Sequence, residues 1–342
     1  MEEDRTVPAR PKNWREGYTL TLTIPIEWWS GTDTIQTEVR RSDRRAAVRE
    51  KAKEAWRDLK KQGLAWKVNR FIALIAVSYP KQGNIFPARA AETVKPIIDA
   101  GSDAKLWDDD DSRHRHTTIY IQLPTRNPHA YTLKIFIIPV PDRQPIYQIT
   151  GGLAQTVSDE WRQSGQRLPA WYDGYTVTFD IPDRLWVTSN YTDSDLAARQ
   201  RGARKSRTWG DGKSFGIREQ VISRLIDASL QQWKRQPYCG YERFIVIAGV
   251  GYPHGVDRAD PDNAAESVNA IMEAGTLAGA WHDTTFRHCK GVAFFRLPNL
   301  PVGGRHRVKL LVIPVPDDFQ LSKALADSAT DAWTEHDRRL RA

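Results

Sequence analysis

The stretch DRADPDNAAESVNAIMEAG, residues 257 to 275, sets Asp260, Asp262 and Asn263 at the head of an apolar-periodic run, and Asp283 lies beyond that run. Three carboxylates, Asp260, Asp262 and Asp283, offer hard oxygen ligands of the kind Mg²⁺ takes in an octahedron that keeps several waters; Mn²⁺ accepts the same set. A cation held this way activates a water and neutralises charge building on a phosphodiester. For that chemistry the chain must return after the run and bring Asp283 beside Asp262. A plainer role competes. Asp260 before Pro261 reads as an ordinary N-cap, and Asp262 in a first turn meets the positive end of the helix dipole.

The elements that would carry these residues occur twice. GYTLTLTIP at 17–25 matches GYTVTFDIP at 174–182, and NRFIALIAVSYP at 69–80 matches ERFIVIAGVGYP at 242–253. AAETVKPIIDAG at 90–101 matches AAESVNAIMEAG at 264–275, and LKIFIIPVPD at 133–142 matches VKLLVIPVPD at 308–317. Self-similarity in one order over such lengths marks two domain-sized units. We place them at 1–165 and 166–342, divided near RQSGQRLP, with an insertion in the second around 199–214. Alternating strands, continuous apolar strands and amphipathic helices mix without strict alternation, so α+β is the expected class. Val94, Ile97, Ile98 and Gly101, like Val268, Ile271, Met272 and Gly275, fall on one helical face, and each Gly is placed to end its helix.

The first unit lacks the acids. Phe86, Pro87, Ala88 and Arg89 align with Asp260, Pro261, Asp262 and Asn263, yet the helical pattern persists. Asp260 and Asp262 are therefore not needed to start the helix. Past the helix the imbalance reverses: the first unit has Asp108 to Asp111, where the second keeps Asp283 alone. A solvated loop is the plain reading of the four-acid run.

Asp-Pro-Asp-Asn, an apolar helix ending in Gly and an acidic loop carrying Arg-His resemble the RusA family of crossover-junction endonucleases. The resemblance implies Mg²⁺-dependent cleavage of four-way DNA junctions by a homodimer. It maps its catalytic and metal positions onto Asp260, Asp262, Asn263 and Asp283. The fold it implies is two tandem RusA-like units forming an intrachain pseudo-dimer, a monomer with an internal two-fold that a further dimer would extend. Two departures stand out. The family's helix Lys is absent from the second unit, where Asn269 aligns with Lys95 of the first, and the paired downstream acids survive only in the first. The expectation is one intact site in the second unit and one vestigial site. A bolder arrangement has Lys95 or Asp109 reach across the two-fold toward Asp260 and Asp262. The alternative function is a branched-DNA binder that no longer cuts.

The composition agrees with a polyanionic partner: 342 residues, 40% hydrophobic and 27% charged, with a net charge of +8. Arg204, Lys205 and Arg207 in the insertion offer phosphate contacts, with Trp209 free to stack on an unpaired base; a charged surface loop is the competing reading. Arg258 and Lys290 flank the acids and could meet the scissile phosphate. His282, His288 and Cys289 are close in sequence but lack finger or ribbon spacing for zinc. Trp56 and Trp233, and Trp161 and Trp333, align and read as core. The two cysteines are no disulfide framework, the N-terminus has no apolar core for a leader, and FIALIAV is too short for a bilayer, so a cytoplasmic setting is expected and no membrane partner.

Overall fold

A computed structural model describes residues 11–31, 38–81, 85–142, 146–188, 191–200, 216–236, 241–253, 255–256, 259–300 and 304–341. The alternation of the first segment becomes β1 (Tyr18–Pro25), whose Tyr18, Leu20, Leu22 and Ile24 are buried while its threonines face solvent. β5 (Tyr175–Pro182) repeats the pattern. The continuous apolar runs become β2 (Phe71–Ser78) and β6 (Phe244–Gly251), buried along their whole length. With β3 (Arg115–Leu123), β4 (Ala130–Pro139), β7 (Cys289–Arg296) and β8 (Arg305–Pro314) they form one eight-stranded mixed sheet, ordered β1-β4-β2-β3-β7-β6-β8-β5. The class is α+β. The alternating strands lie at the two edges and the fully apolar ones inside, as burial on both faces requires.

Seven α-helices are described. α1 (Glu38–Lys61), α2 (Ala91–Asp103), α5 (Ile217–Trp233) and α6 (Ala265–Leu277) pack on one face of the sheet with residues such as Phe71, Ala73, Val246 and Ala248. α3 (Ile146–Gln163) and α7 (Leu321–Arg341) pack on the other, against Ile72, Leu74, Ile245 and Ile247. The short α4 (Asp193–Arg199) is held by a capping box at Thr192 and Asp195.

Both cores run through both halves of the chain. The halves join where Thr117–Tyr120 of β3 pair antiparallel with Val292–Phe295 of β7. The helix that ends each half reaches into the other. Trp161 on α3 donates its indole N–H to Pro314 O at 2.8 Å, and Trp333 on α7 donates to Pro139 O at 3.0 Å. Trp56 and Trp233 are buried, donating to Ile97 O and Ile271 O.

Two sequence expectations need correction. Gly101 and Gly275 do not end their helices, which run on to Asp103 and Leu277. They make room for tryptophans: a Cβ would stand 1.9 Å from the Trp107 ring at Gly101 and 2.4 Å from the Trp281 ring at Gly275. Asp260 is not the N-cap of α6, since the cap position is Ala264 and no side chain caps it.

Candidate functional site

Connectivity decides which acids can meet. β6 and β7 are parallel neighbours, and α6 carries the chain between them. A parallel crossover starts beyond the end of one strand and must return to the beginning of the next. Asp260 and Asp262 follow the C-terminal end of β6, whereas Asp283 precedes the N-terminal end of β7, at the opposite end of the sheet. There Phe244 N donates to His288 O, and Phe286 N to Ile85 O at 3.0 Å. The Asp283 loop therefore meets the segment leading into Phe86 and Ala88, both buried. Asp283 Oδ1 accepts from Thr285 N and Oγ1. The convergence of Asp283 with Asp260 and Asp262 expected from the sequence is not formed. No three His, Cys, Asp or Glu side chains among the described residues are grouped to hold a metal, the His282, His288 and Cys289 set included.

Because β3 and β7 are antiparallel, the loop before β3 lies at the end of the sheet that carries Asp260 and Asp262. Lys95 on α2 donates to Asp260 Oδ2 at 2.7 Å and to Asn263 Oδ1 at 2.8 Å. Arg115, the first residue of β3 and 0% exposed, sits among three carboxylates. Its Nη1 is 3.1 Å from Asp262 Oδ1, and its Nη2 is 3.2 Å from Asp110 Oδ2 and 3.8 Å from Asp260 Oδ1. The Nη1 contact is an ion pair without the alignment of a hydrogen bond. The Tyr120 hydroxyl donates to Asp262 Oδ2. Of the two reaching residues expected from the sequence, Lys95 arrives. Asp109 does not: its Oδ1 accepts from Asp110 N, and Asp110 takes the place beside Arg115.

The electrostatics record a surplus of negative charge. Burial pushes the Asp110 carboxyl up to about 7; Arg115 opposes the rise, and Asp260 and Asp99 add to it. Burial also raises Asp99, against Lys95 and with Asp260. Burial would lower Arg115, but Asp262, Asp110 and Asp260 outweigh it and hold the guanidinium firmly charged. Beside this set, α2 and α6 enclose a cleft lined by Glu92, Lys95, Asp262, Asn263 and Glu266. Its free volume is about 10 Å³, space for about one water. Arg41 and Arg45 pair with Glu92, and Arg218 with Glu266.

The groups around Asp262 occur once in the chain. At the aligned places of the other half, Thr284 stands for Asp110, Cys289 for Arg115, Phe294 for Tyr120 and Asn269 for Lys95. That end has Phe86 and Ala88 where the first has Asp260 and Asp262. Asp260, Asp262, Asp110, Arg115 and Lys95 stand together at one end, and none of their aligned places at the other end carries a charge, although Asp283 and Glu273 remain in the C-terminal half. Sequence reading missed Arg115, Tyr120, Asp99 and the particular role of Asp110. A charged residue opening the buried strand RHTTIYIQL was the available signal, since a buried guanidinium needs carboxylates around it.

The remaining site residues fall elsewhere. Lys290 does not flank Asp260 and Asp262, which precede α6; it lies at the Asp283 end, where Nζ donates to Phe286 O at 3.0 Å. Arg204, Lys205, Arg207, Trp209 and Arg258 lie outside the described residues. No described helix is long and apolar enough to cross a membrane. No family model matches the chain, and neither a curated protein nor a solved structure matches it.

Proposed function

We propose that the chain is a Mg²⁺-dependent endonuclease acting on branched DNA, built as a pseudo-dimer of two RusA-like units with one complete active site per chain. The observation that carries this reading is the assembly of Asp260, Asp262 and Asn263 with Lys95, Asp110 and Arg115 across the two halves. The losses expected in each half are complementary, which supports one complete site and one vestigial one.

The donor set suits a divalent cation: every candidate ligand is a carboxylate oxygen. With Asp99, Asp110, Asp260 and Asp262 ionised, Lys95 and Arg115 leave the cluster with two uncompensated negative charges. Asp260 and Asp110 would hold the ion. When bound it supplies charge neutralisation at the phosphodiester and a water of lowered pKa. Lys95 is the mobile cation of the site: its ammonium, on a flexible stem, holds Asp260 and Asn263 and can turn to a phosphate oxygen. Arg115 fixes the carboxylates from beneath. With so little space in the cleft, the DNA backbone meets the cluster at its mouth. The surplus of Lys and Arg over acids, 50 against 42, favours a polyanion.

A second reading, a branched-DNA binder that does not cut, is favoured by one observation: Asp262 is already satisfied inside the protein by Arg115 and Tyr120. A labelled four-way junction separates the two. The nuclease reading expects binding in EDTA, cleavage on adding Mg²⁺, and loss of cleavage with retained binding in Asp260→Asn. Binding with no cleavage in Mg²⁺ or Mn²⁺ would establish the binder instead.

A further inference from the structure

We infer a second binding site beside the acid cluster, a pocket that takes one unpaired nucleobase of the bound DNA. The inference rests on the branched-DNA reading above and names the feature of the substrate that the pocket grips.

The pocket opens between the segment ahead of β1 and the last turns of α7. Trp14, Asn69, Arg70, Asp142, Trp333 and His336 supply its chemistry over a floor of buried Val68 and Val140. Its free volume is about 100 Å³, against about 10 Å³ for the cleft beside Asp262. That is room for roughly seven to ten waters, or for a flat ring with its substituents. Two indoles offer the flat surfaces. Trp14 and Trp333 meet edge to face, with ring centroids 5.0 Å apart. Trp333 is fixed in place, its N–H donating to Pro139 O and Arg15 lying over its ring while pairing with Asp337 one turn further along α7. A base stacks on such a ring whatever its identity, because every base has a π-face.

The polar groups favour a base over a phosphate. Asn69 Nδ2 lies 3.5 Å from Asp142 Oδ2, so an amide and a carboxylate stand side by side. Donors and acceptors together suit the hydrogen-bonding edge of a base taken out of its stack. The cations are matched: Lys67 at the rim pairs with Asp108, and Arg70 donates to Asp142 O at 2.8 Å with the Asp142 carboxylate nearby. A phosphate would find no surplus of positive charge there.

Position ties the pocket to the acid cluster. Phe71, which follows Arg70, pairs with Arg115 of β3 on one side and with Pro139 of β4 on the other. Pocket and cluster thus share one end of the sheet, within two strand spacings, roughly 10 Å. The loop that carries Asp110 is bound to the pocket's rim, since Val68 N donates to Leu106 O and Lys67 holds Asp108. At the other end of the sheet the walls differ. α3 stops two residues past Trp161, whereas α7 runs from Trp333 on to Arg341. Trp171, aligned with Trp14, is 50% exposed, and Glu242 and Ser164 stand for Asn69 and His336. Taking up a base costs least where it is already unpaired, so the pocket favours a strand at a branch over a paired duplex.

Photocrosslinking tests this. A four-way junction carrying 5-iodouracil beside the crossover is bound to the full chain in EDTA and irradiated, and the adducts are mapped by mass spectrometry beside those from a duplex of the same sequence. Adducts are expected on Trp14, Trp333 or His336 with the junction and not with the duplex. Trp14→Ala, shown by circular dichroism to be folded, should bind the junction about tenfold more weakly, as loss of one stacked base does, with duplex affinity unchanged. His336→Ala, altered on an outer turn of α7, should lower the adduct yield and gives the same test if Trp14→Ala does not fold. A bound junction with adducts only elsewhere, equal adducts from the duplex, or unchanged junction affinity in folded Trp14→Ala would overturn the pocket and leave the branched-DNA reading intact. A junction that does not bind at all would overturn both. Pocket adducts on a junction that Mg²⁺ never causes to be cut would support the pocket and overturn the nuclease reading alone.

Discussion

Single residues distinguish the two ends of the sheet, and one such difference is titratable. His306 is buried and stacks on Trp186 at 4.1 Å between ring centroids, with its Nδ1 4.0 Å from Asp183. Its counterpart Tyr131 stacks on Trp29 at 3.8 Å. Burial, with Arg199 adding to it, lowers the His306 pKa to about 3. A folded pKa below the unfolded value, about 6.5 for a free imidazole, means that the unfolded chain binds the proton more readily. The stability held by neutral His306 is complete above that unfolded value and is lost as pH falls toward 3. His306→Tyr, which installs the residue of the other half, should leave the melting temperature near pH 8 little changed and lessen its fall between pH 6.5 and 4. An identical acid slope in both proteins would show that the imidazole does not govern it.

At the scale of elements, the tryptophan after each helix and the glycine within it form one packing device. Gly101→Ala would drive a Cβ into the indole of Trp107, which is fixed among Trp56 and Phe71. Overpacking of this kind costs about 1–3 kcal/mol. Urea denaturation should show a lower midpoint with an unchanged slope, and an unchanged midpoint would mean that the ring moves aside freely. The elements themselves were legible in the sequence. Period-two alternation identified β1 and β5, and continuous apolar runs identified β2 and β6. Helix ends were less legible, because a glycine that ends a helix and one that admits a ring look alike in sequence. The chemistry of the site was half legible. Asp260, Asp262, Asn263 and Lys95 were visible from their absence at the aligned places of the other half. Asp283 was misjudged because spacing along the chain says nothing of which end of a sheet a crossover returns to. Arg115, Tyr120 and Asp110 acquire their roles only through the antiparallel pairing of β3 with β7, a contact between residues far apart in sequence.

Over the whole molecule, one continuous sheet and the exchange of α3 and α7 leave neither half with a closed core of its own. The same arrangement gives the two halves different tasks. The N-terminal half contributes Lys95, Asp110, Arg115 and Tyr120, and the C-terminal half contributes Asp260, Asp262 and Asn263. A homodimer with two identical faces must build both sites alike, whereas a fused pair is free to complete one and let the other lapse. On the proposed nuclease reading one cut per chain is expected, so that a single chain would nick a junction and two bound chains would resolve it. The central claim is that the downstream acid is supplied in trans, by Asp110, and not in cis by Asp283. The direct measurement is the single-turnover rate of junction cleavage in Mg²⁺ by Asp110→Asn beside Asp283→Asn. Asp110→Asn should slow cleavage by about a hundredfold or more, as loss of a group that organises transition-state charge does, and Asp283→Asn should cut at the wild-type rate. A wild-type rate in Asp110→Asn together with an inactive Asp283→Asn would contradict it.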